Sequence, residues 1–237
     1  MRWLAEHVEP GALCPARIWD QLIQFEIEDL AGFSVYAGHF GVDLGAYVGA
    51  IPTTVTMLRD PRERTLSHYL HVKRDIHHPC HARVVGQSVE QFLQDKQNWP
   101  MIENFQARYL VRTGLDMHGF RKRYDGAPEK SSKLSTTSED VRYLYDKAYV
   151  RDTAMETIAQ CRVVGTTAHL DRFLERVAAI LPERPGPASS VPAENIAPNR
   201  DALGSLDAPV LDLIDQLTAI DQALYEIARD RDGMPAT

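Results

Sequence analysis

Residues 54–74 read TVTMLRDPRERTLSHYLHVKR, and the reading of this stretch decides the fold. Thr53 to Leu58 are β-rich and apolar, which predicts a buried strand. The run stops at Arg59-Asp60-Pro61. Asp60 is a good N-cap, and Pro61 stands where a first helical residue has no N–H to lose, so a helix is expected from there to about Lys73. Strand, tight turn and helix would deliver Arg59 to the carboxyl edge of a parallel sheet, where α/β proteins place their ligands. The free N–H groups at the helix start would face the same crevice, and Ser67 on the second turn adds a hydroxyl. An arginine fork and a serine beside a helix start suit a phosphate group. The same residues also fit an ordinary helix entrance, with Arg59 paired to Asp60 or Glu63.

Working outward, Ile18, Trp19, Leu22, Ile23, Ile27 and Leu30 have helical spacing, which predicts one helix over 18–30. Phe33 to Tyr36 reads as a short strand that turns at Gly38-His39. Residues 124–140 (YDGAPEKSSKLSTTSED) read as a polar loop. Helix resumes over 143–160, a strand follows over 162–165, and Thr167 is placed to cap a helix over 170–181 whose inner face is Phe173, Val177 and Ile180. After a crossing over 182–200 with five prolines, Val210, Leu213, Ile214, Leu217, Ile220, Leu224 and Ile227 form the stripe of a closing helix. Strands alternating with helices predict a parallel sheet flanked by helices in a single domain, 1–237.

The composition is that of an ordinary globular chain, 44% apolar and 25% charged. The net charge of −7 argues against duplex nucleic acid or a long polyanionic glycan, which need a basic face to replace condensed counterions. Three cysteines (Cys14, Cys80, Cys161) without metal-type spacing read as reduced thiols. With no apolar run long enough to span a bilayer and no signal-type leader, a cytoplasmic location is expected.

Arg59-Asp60-Pro61, then Arg64, then Ser67-x-Tyr69, resembles the 3′-phosphate motif of the sulfotransferases that use 3′-phosphoadenosine-5′-phosphosulfate. The branch it looks like is that of the heparan sulfate 2-O- and 6-O-sulfotransferases and their bacterial members. Further stretches match in order: Gly38-His39-Phe40, Asn104 to Leu110 (NFQARYL), Val163-Val164-Gly165, Asn195 to Arg200 (NIAPNR) and Asp221 to Tyr225 (DQALY). The resemblance therefore covers most of the chain from Gly38 onward.

The resemblance implies an α/β fold with a P-loop-like parallel sheet flanked by helices. It also implies sulfuryl transfer from that donor to a hydroxyl of a carbohydrate or small-molecule acceptor, without a metal. Arg59 and Ser67 would hold the 3′-phosphate, and Arg200 would reach the nucleotide from the late loop. His39 would be the base; an imidazole titrating near neutrality suits that work, though a histidine closing a strand is the plain reading. His77 and His78 would flank the acceptor. Asn104 and Arg108, one helical turn apart, would touch the acceptor or brace the site.

The family's first strand ends in a Pro-Lys-x-Gly-Thr-Thr loop that holds the 5′-phosphosulfate and precedes a helix resembling Arg2 to His7. The sequence starts inside that helix, so the expectation is a domain whose first strand and phosphosulfate loop are missing, with uncovered sheet edges. Gly165-Thr166-Thr167 has no lysine before the glycine and reads as a structural turn. The cluster His77-His78-Pro79-Cys80-His81 fits no zinc spacing. The basic run Arg121-Lys122-Arg123, with Lys130 and Lys133, reads as a solvated loop. A second expectation, of another class, is an inactive relic that keeps only the 3′-phosphate half-site; a P-loop kinase would need a Gly-Lys-Ser/Thr loop absent here.

Overall fold

A computed structural model describes residues 2–41, 44–111, 146–181 and 206–232. The elements follow the polar and apolar rhythm of the sequence. Among the described residues they are Arg2–His7 (α1), Trp19–Leu22 (α2), Ile27–Leu30 (α3), Leu44–Val48 (α4), Val55–Leu58 (β1), Pro61–Arg74 (α5), His81–Val84 (α6), Val89–Gln94 (α7), a 3₁₀ segment Lys96–Met101 and Phe105–Val111 (α8). Then come Lys147–Gln160 (α9), Val163–Thr166 (β2), a 3₁₀ turn Thr167–His169, Leu170–Ala178 (α10), Ala208–Leu217 (α11) and Ala219–Asp232 (α12). The molecule is thus mostly helical around a small parallel sheet, an α/β arrangement.

β1 and β2 pair in parallel, with Val55 opposite Val163 and Leu58 opposite Thr166. Because side chains alternate across a strand, each face receives its own cover. Val55 and Val163 meet Trp3 of α1 and Phe173 and Val177 of α10. Leu58 and Val164 meet Ala107, Val150, Ile158 and Leu224 from α8, α9 and α12. β2 is buried along its whole length, since helices close on both of its faces. Away from the sheet, Leu66, Tyr69 and Val72 of α5 pack on Phe92, Leu93, Ile214 and Leu217. A fourth cluster gathers Trp19, Leu22, Leu30, Phe40 and Tyr47 near the N-terminus.

Five expectations change. The helix over 18–30 is two short turns, α2 and α3, parted at Phe25-Glu26, because its apolar side chains fold over Phe40 and Tyr47 instead of lying along one stripe. The strand over 33–36 reduces to isolated bridges, Leu13 to Val35 and Ile18 to His39. β1 is only partly buried, with Met57 exposed, because among the described residues it has a strand neighbour on one side alone. The closing helix is broken at Thr218, whose Oγ1 donates to the Ile214 carbonyl and whose backbone leaves the helical region. Thr167 does not cap α10: it sits inside the 3₁₀ turn, and the N-cap of α10 is His169, which makes no side-chain cap hydrogen bond.

Three other expectations fall where they were placed. α5 starts at Pro61 behind Asp60, and β2 lies within a residue of its reading. The cysteines are free thiols, and burial pushes Cys161 up to about 11. The loop at 124–140, its basic flank at 121–123, the start of the helix at 143–145 and the proline-rich crossing at 182–200 lie outside the described residues, and Arg200 with them. No described helix is long and apolar enough to cross a membrane.

Candidate functional site

Arg59 leaves β1 at its carboxyl end, and α5 begins two residues later. The Asp60 carboxylate turns back over that start and accepts from the Arg62 N–H (2.9 Å) and the Glu63 N–H (3.0 Å). Arg64 N–H donates to the Asp60 carbonyl, and Pro61 has no N–H, so the helix start has no free donor for a ligand. This corrects the expectation that helix N–H groups face the crevice: the N-cap already uses them. An anion here depends on side chains.

The side chains that the sequence motif points to are Arg59 and Ser67. Glu63 and Ser67 stand four residues apart on one stripe of α5, and Arg59, two residues ahead of the helix, touches that stripe through Glu63. Arg59 Nε lies 3.4 Å from Glu63 Oε2, a long, half-exposed contact that realises the helix-entrance alternative. Ser67 is half-buried. The Arg59 backbone is held on both sides by one amide: its N–H donates to Gln106 Oε1, and its carbonyl accepts from Gln106 Nε2, each at 2.9 Å.

Behind this stripe lies a core of rings and charges. Arg64 sits 3.6 Å over the face of Phe105, and its Nη1 donates to the Met101 carbonyl (2.6 Å). Burial pulls the Arg64 guanidinium down to about 10, against the opposing field of Asp221. Asp221 is fully buried and accepts the N–H groups of Gln106 and Ala107 at the start of α8; burial pushes it up to about 6. His68 lies 6.1 Å from Phe105, ring to ring, and within 6.3 Å of both His71 and His78. Its buried Nε2 has no hydrogen-bond partner among the described residues. Burial, then the charge of Arg64, pulls His68 down to about 3, so the ring is neutral at ordinary pH.

His39 is exposed and lies ring to ring with Tyr109 at 4.3 Å, which in turn lies 4.4 Å from Phe105. Its N–H donates to the Arg17 carbonyl (2.8 Å), the backbone bond that the plain reading requires. His39, Tyr109, Phe105, Arg64 and His68 therefore form one connected run of contacts, and Arg59 joins it through Gln106. His78 reaches the run through His68, while its Nδ1 accepts the Cys80 N–H (3.1 Å). His77 is exposed on the turn before α6, and among the described residues the ring contacts of the cluster run through His68, His71 and His78 and not through it.

Asn104 is buried with φ at +42°; its N–H donates to the Leu217 carbonyl and its Oδ1 accepts the Ile220 N–H, so its side chain braces α12. Arg108 donates from Nη2 to the Pro100 carbonyl, which also ties it to the frame. Thr166 is buried and gives its N–H and hydroxyl to Asp232, which leaves Gly165-Thr166 closed to a phosphate. Among the described residues, no group of histidines, cysteines and carboxylates is arranged to hold a metal ion.

Sequence reasoning missed Gln106, His68, Tyr109 and Asp221 as parts of this constellation. Gln106 and Tyr109 lie within the NFQARYL stretch, but their partners are up to 115 residues away in sequence, beyond any local spacing. No family model, curated protein or solved structure matches this chain.

Proposed function

We propose that the protein is a P-loop-like sulfotransferase that moves a sulfuryl group from 3′-phosphoadenosine-5′-phosphosulfate to a hydroxyl of a carbohydrate or small molecule. The observation that carries this reading is the placement of Arg59 at the exit of a parallel strand, directly ahead of α5, the helix that carries Ser67. In this reading the Arg59 fork and the Ser67 hydroxyl take the 3′-phosphate, and Arg59 gives up its long contact to Glu63 when the phosphate arrives. His39, exposed and backed by Tyr109, takes the proton of the acceptor hydroxyl. The hydroxyl oxygen forms a bond to sulfur as the bond from sulfur to the 5′-phosphate oxygen breaks, and adenosine 3′,5′-bisphosphate leaves.

A second reading, binding of the nucleotide without transfer, draws on a different observation. The Gly165-Thr166 turn is filled by Asp232, so among the described residues no Gly-Thr turn offers donors to a 5′-phosphosulfate. Arg59 and Ser67 alone would bind ground and transition states alike, and uniform binding does not accelerate chemistry.

Calorimetry with adenosine 3′,5′-bisphosphate, together with transfer of radiolabelled sulfate to a panel of sugars and small hydroxyl compounds, tests both. The expected outcome is binding that Arg59→Ala weakens by about 1.5–3 kcal/mol, the scale of a hydrogen bond to a charged group, and Ser67→Ala by less. Unchanged affinity in folded Arg59→Ala sinks the 3′-phosphate assignment. Binding without transfer to any acceptor selects the second reading.

A further inference from the structure

The Arg59 backbone ends β1 at a point where, among the described residues, no further strand lies alongside it. An extended residue presents its N–H and C=O toward the same side, as an exposed pair. The Gln106 carboxamide meets that pair as another peptide unit would, its Oε1 accepting and its Nε2 donating, both at 2.9 Å. One side chain thus fixes the residue from which the phosphate-binding guanidinium departs.

Gln106 is itself held from α12. The Asp221 carboxylate accepts the backbone N–H groups of Gln106 (3.1 Å) and Ala107 (2.8 Å), which caps α8. In the other direction Asn104 Oδ1 accepts the Ile220 N–H (2.8 Å), and the Asn104 N–H donates to the Leu217 carbonyl (3.0 Å). The starts of α8 and α12 therefore cap each other, and the left-handed backbone at Asn104 makes the turn that permits it. Gln106 lies in the second position of a helix whose start is pinned by a fully buried carboxylate.

We infer that Gln106 is the positioning residue of the 3′-phosphate site, setting the Arg59 backbone through its paired amide bonds, with Asp221 and Asn104 holding it in place. The inference rests on the proposed binding of a 3′-phosphorylated nucleotide. It assigns Gln106 no contact with the ligand; Gln106 acts through Arg59.

The test compares two ligands that differ by the 3′-phosphate, adenosine 3′,5′-bisphosphate and adenosine 5′-monophosphate. Calorimetry is run on the wild type, Arg59→Ala, Gln106→Ala and Gln106→Met, with melting temperatures taken alongside. Gln106→Met fills the same space without adding a charge and loses both amide bonds to the Arg59 backbone, so it remains informative where the alanine variant fails to fold.

The expected result is that each folded Gln106 variant weakens the bisphosphate by about tenfold while the monophosphate affinity stays within about twofold of wild type, as loss of both hydrogen bonds to a positioned group predicts. A merely structural role lowers the melting temperature and leaves the ratio of the two affinities unchanged, which overturns the inference. If Arg59→Ala loses the 3′-phosphate preference and folded Gln106→Met keeps it, the inference alone fails. If the wild type shows no preference between the two ligands, the 3′-phosphate reading fails and the inference falls with it.

Discussion

At Glu63 the geometry sets a competition. Its carboxylate stands in the first turn of α5, one turn before Ser67, and holds the Arg59 guanidinium at 3.4 Å. That contact is long and half-exposed, so it contributes about 0–1 kcal/mol and yields readily to a phosphate. A bound phosphate would still meet the repulsion of the carboxylate. Glu63→Gln should therefore tighten adenosine 3′,5′-bisphosphate by about two- to tenfold, the scale of one removed like-charge neighbour at a partly exposed site. The gain should shrink as salt is raised. Calorimetry at low and high ionic strength checks this, and weaker binding in Glu63→Gln would show that the carboxylate serves the site. Residue-level chemistry was partly legible in the sequence. Asp60 and Pro61 announce a helix start by themselves, and Arg59 follows from them. Gly38 before His39 was visible as a pair, but its reason was not: a Cβ there would stand 2.2 Å from the Arg17 carbonyl oxygen, a backbone atom that cannot step aside. The close approach of residue 17 to residue 38 is what sets the His39 backbone, and no local pattern encodes it.

At the scale of elements, the sequence revealed periodicity and concealed interruption. The stripe from Val210 to Ile227 is continuous as a pattern, yet the chain breaks it at Thr218, and the second piece turns so that Asp221 reaches α8. The residue that gives this away is polar and buried within an apolar stripe. The strand–turn at Gly165-Thr166, which reads as structural because no lysine precedes the glycine, is filled by Asp232 from the far end of α12, a partner that local pattern does not reveal. Asp232 is the clasp between α12 and β2: its carboxylate takes both the Thr166 N–H and the Thr166 hydroxyl in a buried setting. Asp232→Ala strands both donors away from water, and each such loss costs about 1–3 kcal/mol, so a destabilisation of roughly 2–4 kcal/mol is expected in urea unfolding. Asp232→Asn retains an acceptor for the N–H, and the Thr166 hydroxyl can rotate to accept from the amide, so it should recover most of that loss. Equal losses in the two variants would mean that the carboxylate charge, rather than the satisfied donors, holds α12 in place.

At the scale of the whole molecule, two buried groups pull stability in opposite directions as pH changes. His68 is depressed to about 3 by burial and by Arg64, His78 and His71, from an ordinary value of 6.5. The unfolded chain therefore takes up a proton there between pH 6.5 and 3 while the folded chain does not, and stability falls as pH falls through that range. Asp221 is raised from 3.8 to about 6 by burial, against its two N–H donors and the charges of Arg64 and Arg108. Here the folded chain holds the extra proton between pH 6 and 3.8, so stability from this group rises as pH falls and is lost as pH climbs through 6. Each slope is bounded by about 1.4 kcal/mol per pH unit, and between pH 6 and 4 the two offset one another. Below pH 4 Asp221 is protonated in both states, and the His68 cost continues alone. His68→Phe keeps a ring of similar shape beside Phe105 and removes a nitrogen that has no hydrogen-bond partner among the described residues. That variant should hold its stability at pH 7 and grow more stable relative to wild type at each step from pH 6.5 down to 4. Its acid-unfolding midpoint should drop by about half a pH unit or more. Asp221→Asn should do the reverse and lose stability relative to wild type as pH falls from 6 to 4, on top of a constant loss from its weakened cap on α8. Urea unfolding of the three proteins at half-unit pH intervals reads both slopes. If the His68→Phe curve runs parallel to wild type across pH 4–6.5, the His68 imidazole gains its proton in the folded state as easily as in the unfolded one, and the ring cluster behind Arg59 is open to water.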